Sequence, residues 1–172
     1  MYRTKDGSVW EPASTGLGRL EMTDIDVRED HLYAGNVEQH AASDDDGESW
    51  SSAPVDRRFF TLQTAKANQR RTTTEPGSYY RAGRDGVWRT TNGGKRWDPA
   101  GLQDVATTWV ALQGGRLFAL TSTGGLFASD DQGGHWRRRP PLPGGQRISV
   151  AAVSTAYVFA LAADQRLYRA PR

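Results

Sequence analysis

The sequence has no cysteine, three histidines and two methionines in 172 residues, and no long apolar run. Without cysteine, disulfides and thiolate metal sites are excluded. Nothing approaches the roughly 20 consecutive apolar residues of a membrane-spanning helix, so no membrane span is expected. The first ten residues, "MYRTKDGSVW", lack the apolar core of a secretory leader. As it stands the chain reads as cytoplasmic, and as periplasmic or secreted only if a leader has been removed. Capped segments with a sustained 3.6-residue period are also missing, which argues against helix. Charge is nearly balanced, at +2 from 22 basic and 20 acidic residues. Nineteen of the basic residues are arginine, a bias that a GC-rich genome explains better than a nucleic-acid groove does. The one dense basic cluster, Arg137, Arg138 and Arg139, is a weak electrostatic footprint, so nucleic acid is not an expected partner.

What is present repeats. "SDDDGESW" (43–50) and "SDDQGGHW" (129–136) share Ser/Thr-x-Asp-x-Gly-x-x-Trp, as Ser43, Asp45, Gly47, Trp50 and Ser129, Asp131, Gly133, Trp136. "TTNGGKRW" repeats it with Thr90, Asn92, Gly94 and Trp97, and "TKDGSVW" is a copy one residue short, with Thr4, Asp6, Gly7 and Trp10. The tryptophans fall 40, 47 and 39 residues apart, and a period in the forties marks a repeat architecture. Between motifs, short apolar runs alternate with turn residues. "MTDIDV" (22–27) has period two. "TTWVALQ", Gly114-Gly115, "RLFALTS", Thr123-Gly124 and "GLFAS" read as strands joined by hairpins. "RISVAAVS", "AYVFALAA" and "RLYRA" form the last set, and "RFFTLQTA" (58–65), "YYRAG" and "VWRTT" the second. Polar Lys66 to Ser78, with Glu75-Pro76-Gly77, reads as a loop between the first two strands of that set.

Each repeat is therefore three strands, a turn at the motif, and a short fourth strand starting at the motif tryptophan. Nineteen glycines and eight prolines suit many short strands. Four-stranded units of about 40 residues predict an all-β propeller of about four blades, which must stack to bury their faces. The expected organisation is one domain, 1–172, with repeats near 11–50, 51–97, 98–136 and 137–172 plus 1–10. The final repeat lacks a fourth strand and the N-terminus offers one, so Ser8 to Pro12 is expected to complete the blade built by Arg147 to Arg169. Strand exchange within one chain gives a monomer, favoured by tethering, and the monomer is the expected state. Exchange between chains gives a dimer, favoured by bulky Trp109, Phe59 and Phe60 on or beside innermost strands.

The motif and its spacing resemble the Asp-box, or BNR, repeat family, which includes sialidases, sortilin-type receptors, xyloglucan hydrolases and photosystem II assembly factors. The resemblance implies that the motif is the hairpin between third and fourth strands, with its Asp and Ser/Thr bonding turn backbone and its Trp packed between sheets. Local side-chain acceptors fixing a tight turn, and a large aromatic anchoring a short strand, agree with that role.

Sialidase chemistry needs an arginine triad, a tyrosine–glutamate pair and an aspartic acid, and no Arg-Ile-Pro-type motif is present; Arg147-Ile148-Ser149 is the nearest approach. His31, His40 and His135 are scattered, and Asp44-Asp45-Asp46 lacks the alternate spacing of a calcium loop, so neither metal nor cofactor is expected. "RRRPPLP" (137–143) fits a polyproline-ligand pattern, but it sits where a connection between blades must run, and its prolines are read as serving that connection. No catalytic residue is nominated. The expected binding residues lie on loops of one face: Asn36, Glu38, Arg84, Asp85, Asp98, Asp104, Arg137, Arg138 and Arg139. The expected function is a non-enzymatic scaffold binding another protein; the alternative is a carbohydrate-binding or sialidase-related glycoside hydrolase domain with a glycan partner.

Overall fold

The computed structural model describes residues 9–18, 21–28, 31–36, 38–54, 72–73 and 79–172. Thr4, Asp6 and Gly7 of the shortened motif lie outside the described residues, as does the expected strand 58–65 with Phe59 and Phe60.

Among the described residues, sixteen strands form four antiparallel sheets of four. The first holds β2 (Asp24–Arg28), β3 (His31–Gly35), β4 (His40–Ser43) and β5 (Ser51–Ala53). The second holds β6 (Thr72–Thr73), β7 (Tyr79–Gly83), β8 (Gly86–Thr90) and β9 (Asp98–Pro99). The third holds β10 (Thr107–Gln113), β11 (Arg116–Thr121), β12 (Leu126–Ser129) and β13 (Arg137–Arg138). The fourth holds β14 (Ile148–Val153), β15 (Tyr157–Ala162), β16 (Leu167–Pro171) and β1 (Glu11–Pro12). The architecture is that of a β-propeller. Hairpin chemistry enforces the strand order: Gly114 and Gly115 both take positive φ, 54° and 80°, in the two-residue turn joining β10 to β11. Among the described residues no helix is long and apolar enough to cross a membrane.

β1 pairs with β16 in register, Glu11 opposite Arg169 and Pro12 opposite Tyr168. The N-terminal segment thus supplies the outer strand of the last sheet, as its sequence predicts. Proline is tolerated because an outer strand has one edge without a ladder partner.

Two local readings need correction. The fourth strands begin one residue after each tryptophan, at Glu11, Ser51, Asp98 and Arg137. The Trp50 backbone N–H shows why, since it donates to the Thr15 carbonyl at 3.1 Å rather than to a ladder. Among the described residues the first strand of the second sheet is Thr72–Thr73, inside the segment read as a loop, pairing with Tyr80 and Tyr79. Two threonines between polar neighbours carry no apolar alternation, yet β-branching suits them to a strand. By contrast, "RRRPPLP" is tied down as a connection rather than left as a free polyproline segment, as its sequence reading has it: Leu142 is buried, and the Pro140 carbonyl accepts the Trp10 indole N–H at 2.9 Å.

The chain divides into two compact units, Met1–Leu62 with Pro140–Arg172, and Gln63–Arg139. The first and fourth sheets belong to one unit, whose core joins Ile25, Leu32, Ala34, Trp50, Phe159, Leu161 and Leu167. The second and third belong to the other, around Tyr80, Val87, Val110, Leu117 and Ala119.

Candidate functional site

The acidic motifs resolve into turns. Ser43 Oγ donates to Asp45 Oδ1 at 2.8 Å and accepts the Gly47 N–H at 2.9 Å, while Asp45 Oδ1 accepts the Ser49 N–H at 2.9 Å. Ser129, Asp131, Gly133 and His135 repeat these bonds at 2.8, 2.9 and 2.8 Å. Thr90, Asn92, Gly94 and Arg96 repeat them at 3.0, 3.0 and 2.9 Å. Donors from Ser49, on side chain and backbone, and from Ser43 hold the Asp45 carboxyl down at about 2. His135 and Ser129 lower that of Asp131 in the same way. The glycine is needed for space: a Cβ on Gly133, where φ is +98°, would stand 2.4 Å from the Ala100 carbonyl oxygen.

The motif tryptophans are less uniform than expected. Trp10 and Trp50 are buried; Trp97 and Trp136 are half-buried. Three indoles make one recurring bond, to a carbonyl three or four residues beyond the preceding motif tryptophan. Trp50 reaches Ala13 at 2.8 Å, Trp136 reaches Ala100 at 2.9 Å, and Trp10 reaches Pro140. Trp97 has a different neighbour. The Arg81 guanidinium lies over its ring, 4.6 Å from the centroid, and 5.7 Å from that of Trp88.

The expected binding residues separate. Asn36 and Glu38 sit in the β3–β4 turn, where Asn36 Oδ1 accepts the N–H groups of Glu38 and Gln39 at 2.8 and 3.0 Å. Asn36 therefore shapes its own turn. Arg137 and Arg138 are exposed on β13, and the Arg139 N–H donates to the Leu126 carbonyl at 2.8 Å. Asp98 opens β9 and pairs with Arg96 at 3.0 Å. Arg84 and Asp85 form the β7–β8 turn, and Asp104 is tied to it through its N–H on the Asp85 carbonyl at 3.3 Å.

Arg84 and Asp85 border an open cleft of about 680 Å³, also lined by Arg81, Trp88, Thr107 and Ser122. Thr107 Oγ1 pins the turn, within 3.0 and 2.7 Å of the Gly83 and Gly86 carbonyls, and accepts the Gly83 N–H at 3.0 Å. The Asp85 carboxylate accepts the Trp88 indole N–H at 3.0 Å. The connection leading into β10 holds Leu102 and Asp104 at φ 51° and 62°. Left-handed non-glycine residues cost free energy and gather at functional sites. Beside them Val105 is exposed.

Sheet register makes Arg81 the exceptional residue of this cleft. The motif Ser/Thr pairs with Leu32, Tyr79 and Leu117 in the first three sheets. Two residues on stand Ala34, Arg81 and Ala119. A bulge shared by β10 and β14 aligns Ala119 with Ala160 in the fourth sheet. All three alanines are 0% exposed. One sheet in four thus replaces a core alanine with an arginine, stacked on indoles and without an ion-pair partner among the described residues. Loop position alone missed it. Counting nine residues back from the motif Ser/Thr finds Ala34 in the first repeat and Arg81 in the second.

The cleft supplies two guanidiniums, one carboxylate already bonded, an indole and hydroxyls. Among the described residues no three His, Asp or Glu side chains gather where they could hold a metal ion.

No protein-family model matches the chain, and no curated protein matches it in sequence. Among solved structures it is similar to YCF48 from Cyanidioschyzon merolae, at 14% identity over 88% of this chain and 52% of that one, with a TM-score of 0.48. It is also similar to PorZ of the Porphyromonas gingivalis type-IX secretion system, at 21% identity over 87% and 21%, with a TM-score of 0.49. The Niastella koreensis GH74 enzyme gives 15% identity over 86% and 28%, with a TM-score of 0.46. This chain spans about half the length of the first and less of the other two.

Proposed function

We propose that the chain is a non-enzymatic, protein-binding scaffold built on an Asp-box propeller, with the Arg81 cleft as its recognition site. The observation that carries this reading is the arginine itself. A side chain that displaces a core alanine, stacks on two tryptophans and borders an open cleft is poorly explained by packing. Arginine and tryptophan are the residues enriched at binding hot spots, and stacking orders the guanidinium before a partner arrives, which lowers the entropy lost on binding. The exposed Val105 and the strained connection beside the cleft fit the same role.

Arg81→Ala tests this cleanly, because it installs the residue found at the equivalent position in the other three sheets. Wild type and variant are used as baits against extract of the source cells. A protein captured by wild type and lost with Arg81→Ala, at unchanged melting temperature, supports the scaffold. A glycan array and an aryl-glycoside panel examine the rival. Glycan binding or hydrolysis abolished by Asp85→Asn would replace the scaffold by the carbohydrate reading.

A further inference from the structure

Two arginines occupy the same register in their sheets, and only one has the carboxylate that its position favours. Arg89 in β8 pairs with Tyr80, and Arg169 in β16 with Phe159. Across the outer strand, Asp98 stands opposite Arg89 and Glu11 opposite Arg169. Arg169 is buried, and its guanidinium donates to the Asp46 carbonyl at 2.7 Å and the Glu48 carboxylate at 3.1 Å, with Glu11 at 3.9 Å. Asp46 and Glu48 are the fourth and sixth residues of the turn motif in the neighbouring sheet of that unit. The matching motif in the other unit has Gln132 and Gly134 at those places.

Here a cavity of about 240 Å³ opens, lined by Arg89, Asp98, Gln132, Gly133 and Gly134 among others. The Arg89 Nε is buried without a hydrogen-bond partner, and Arg89 forms no ion pair among the described residues. Its nearest aromatic contact is Tyr80, at 5.9 Å. Asp98, the one acid in the lining, is held by Arg96 at 3.0 Å. Two arginines to one aspartate leave room for a further negative charge.

We infer that this cavity is a carboxylate-binding site, taking from outside the chain the propionate-like group that Glu48 supplies to Arg169. A guanidinium beside a carboxylate-sized space binds through charge-assisted bonds, roughly twice as strong as neutral ones. The site is independent of the Arg81 cleft, because Trp88 and Arg89 point to opposite faces of β8. The carboxylate comes either from a glutamate side chain of a polypeptide or from a free small acid.

Nitrogen-15 NMR of the full chain distinguishes these sources, read at the Arg89 Nε–H and the Gly133 and Gly134 amides. The probes are propionate, glutamate blocked at both ends, glutamine blocked likewise, and inorganic phosphate. Both carboxylates are expected to give saturable shifts that are lost in Arg89→Gln, with the Arg169 Nε–H unmoved. Tighter binding of blocked glutamate than of propionate assigns a polypeptide, and equal or weaker binding assigns a free acid. The wild-type Arg89 signal keeps the test open should the variant not fold. No saturable shift, equal shifts with blocked glutamine, matching movement at Arg169, or a response to phosphate alone would each overturn the site.

Discussion

Trp50 and Trp136 anchor their turns with the same indole-to-carbonyl bond but at different depths, 7% exposed for Trp50 and half-buried for Trp136. Trp50→Ala should cost about 3–5 kcal/mol, the range for a large aromatic in a core, and Trp136→Ala less, both read by urea denaturation. An unchanged midpoint for Trp136→Ala would show that its ring does not pack as described. Asp45 makes a different prediction. Its folded carboxyl lies below the ordinary value, at about 2, so its contribution is complete above pH ~4 and fades as pH falls toward 2. Asn92 makes the equivalent bonds with no charge. Asp45→Asn should therefore be less stable than wild type at neutral pH, with the difference shrinking in acid. A gap that widens in acid would contradict the turn chemistry.

At the scale of strands, Arg169 binds one sheet to the next. Besides Asp46 and Glu48, its guanidinium lies 4.8 Å from the Tyr157 ring centroid, joining β16 to a turn of the first sheet. Arg169→Met keeps much of the bulk and removes these bonds. It should cost about 1–3 kcal/mol, the scale of hydrogen bonds to charged groups left unmade, and a neutral melting temperature would count against the latch. This contact was not legible in the sequence, because it joins residues 121 or more positions apart. The motif turns and the final sheet were legible, since Ser43, Gly47 and Trp50 have counterparts at fixed spacing and turn residues separate the apolar runs "RISVAAVS", "AYVFALAA" and "RLYRA". Thr72–Thr73 was not, because its edge pairing depends on β7 rather than on any apolar pattern. Arg84 and Asp85 were found from turn chemistry alone, whereas Arg81 required the strand register that aligns it with three alanines.

At the scale of the molecule, one chain builds four sheets and finishes the fourth with its own N-terminal segment. Glu11 and Pro12 lie in the same unit as β16, and Trp10 just before them is buried and bonded to Pro140. Trp10→Ala should therefore lower the melting temperature although it removes no strand residue. Tethering raises the local concentration of β1 against its own sheet edge, while exchange of the same strand between chains would give a two-fold dimer. The direct measurement is the mass in solution by multi-angle light scattering at micromolar concentration. A chain that completes its own sheet gives the monomer mass of 19.0 kDa. A mass of about 38 kDa, twice that value, would mean that β1 is lent to a partner and would contradict the intrachain pairing described above.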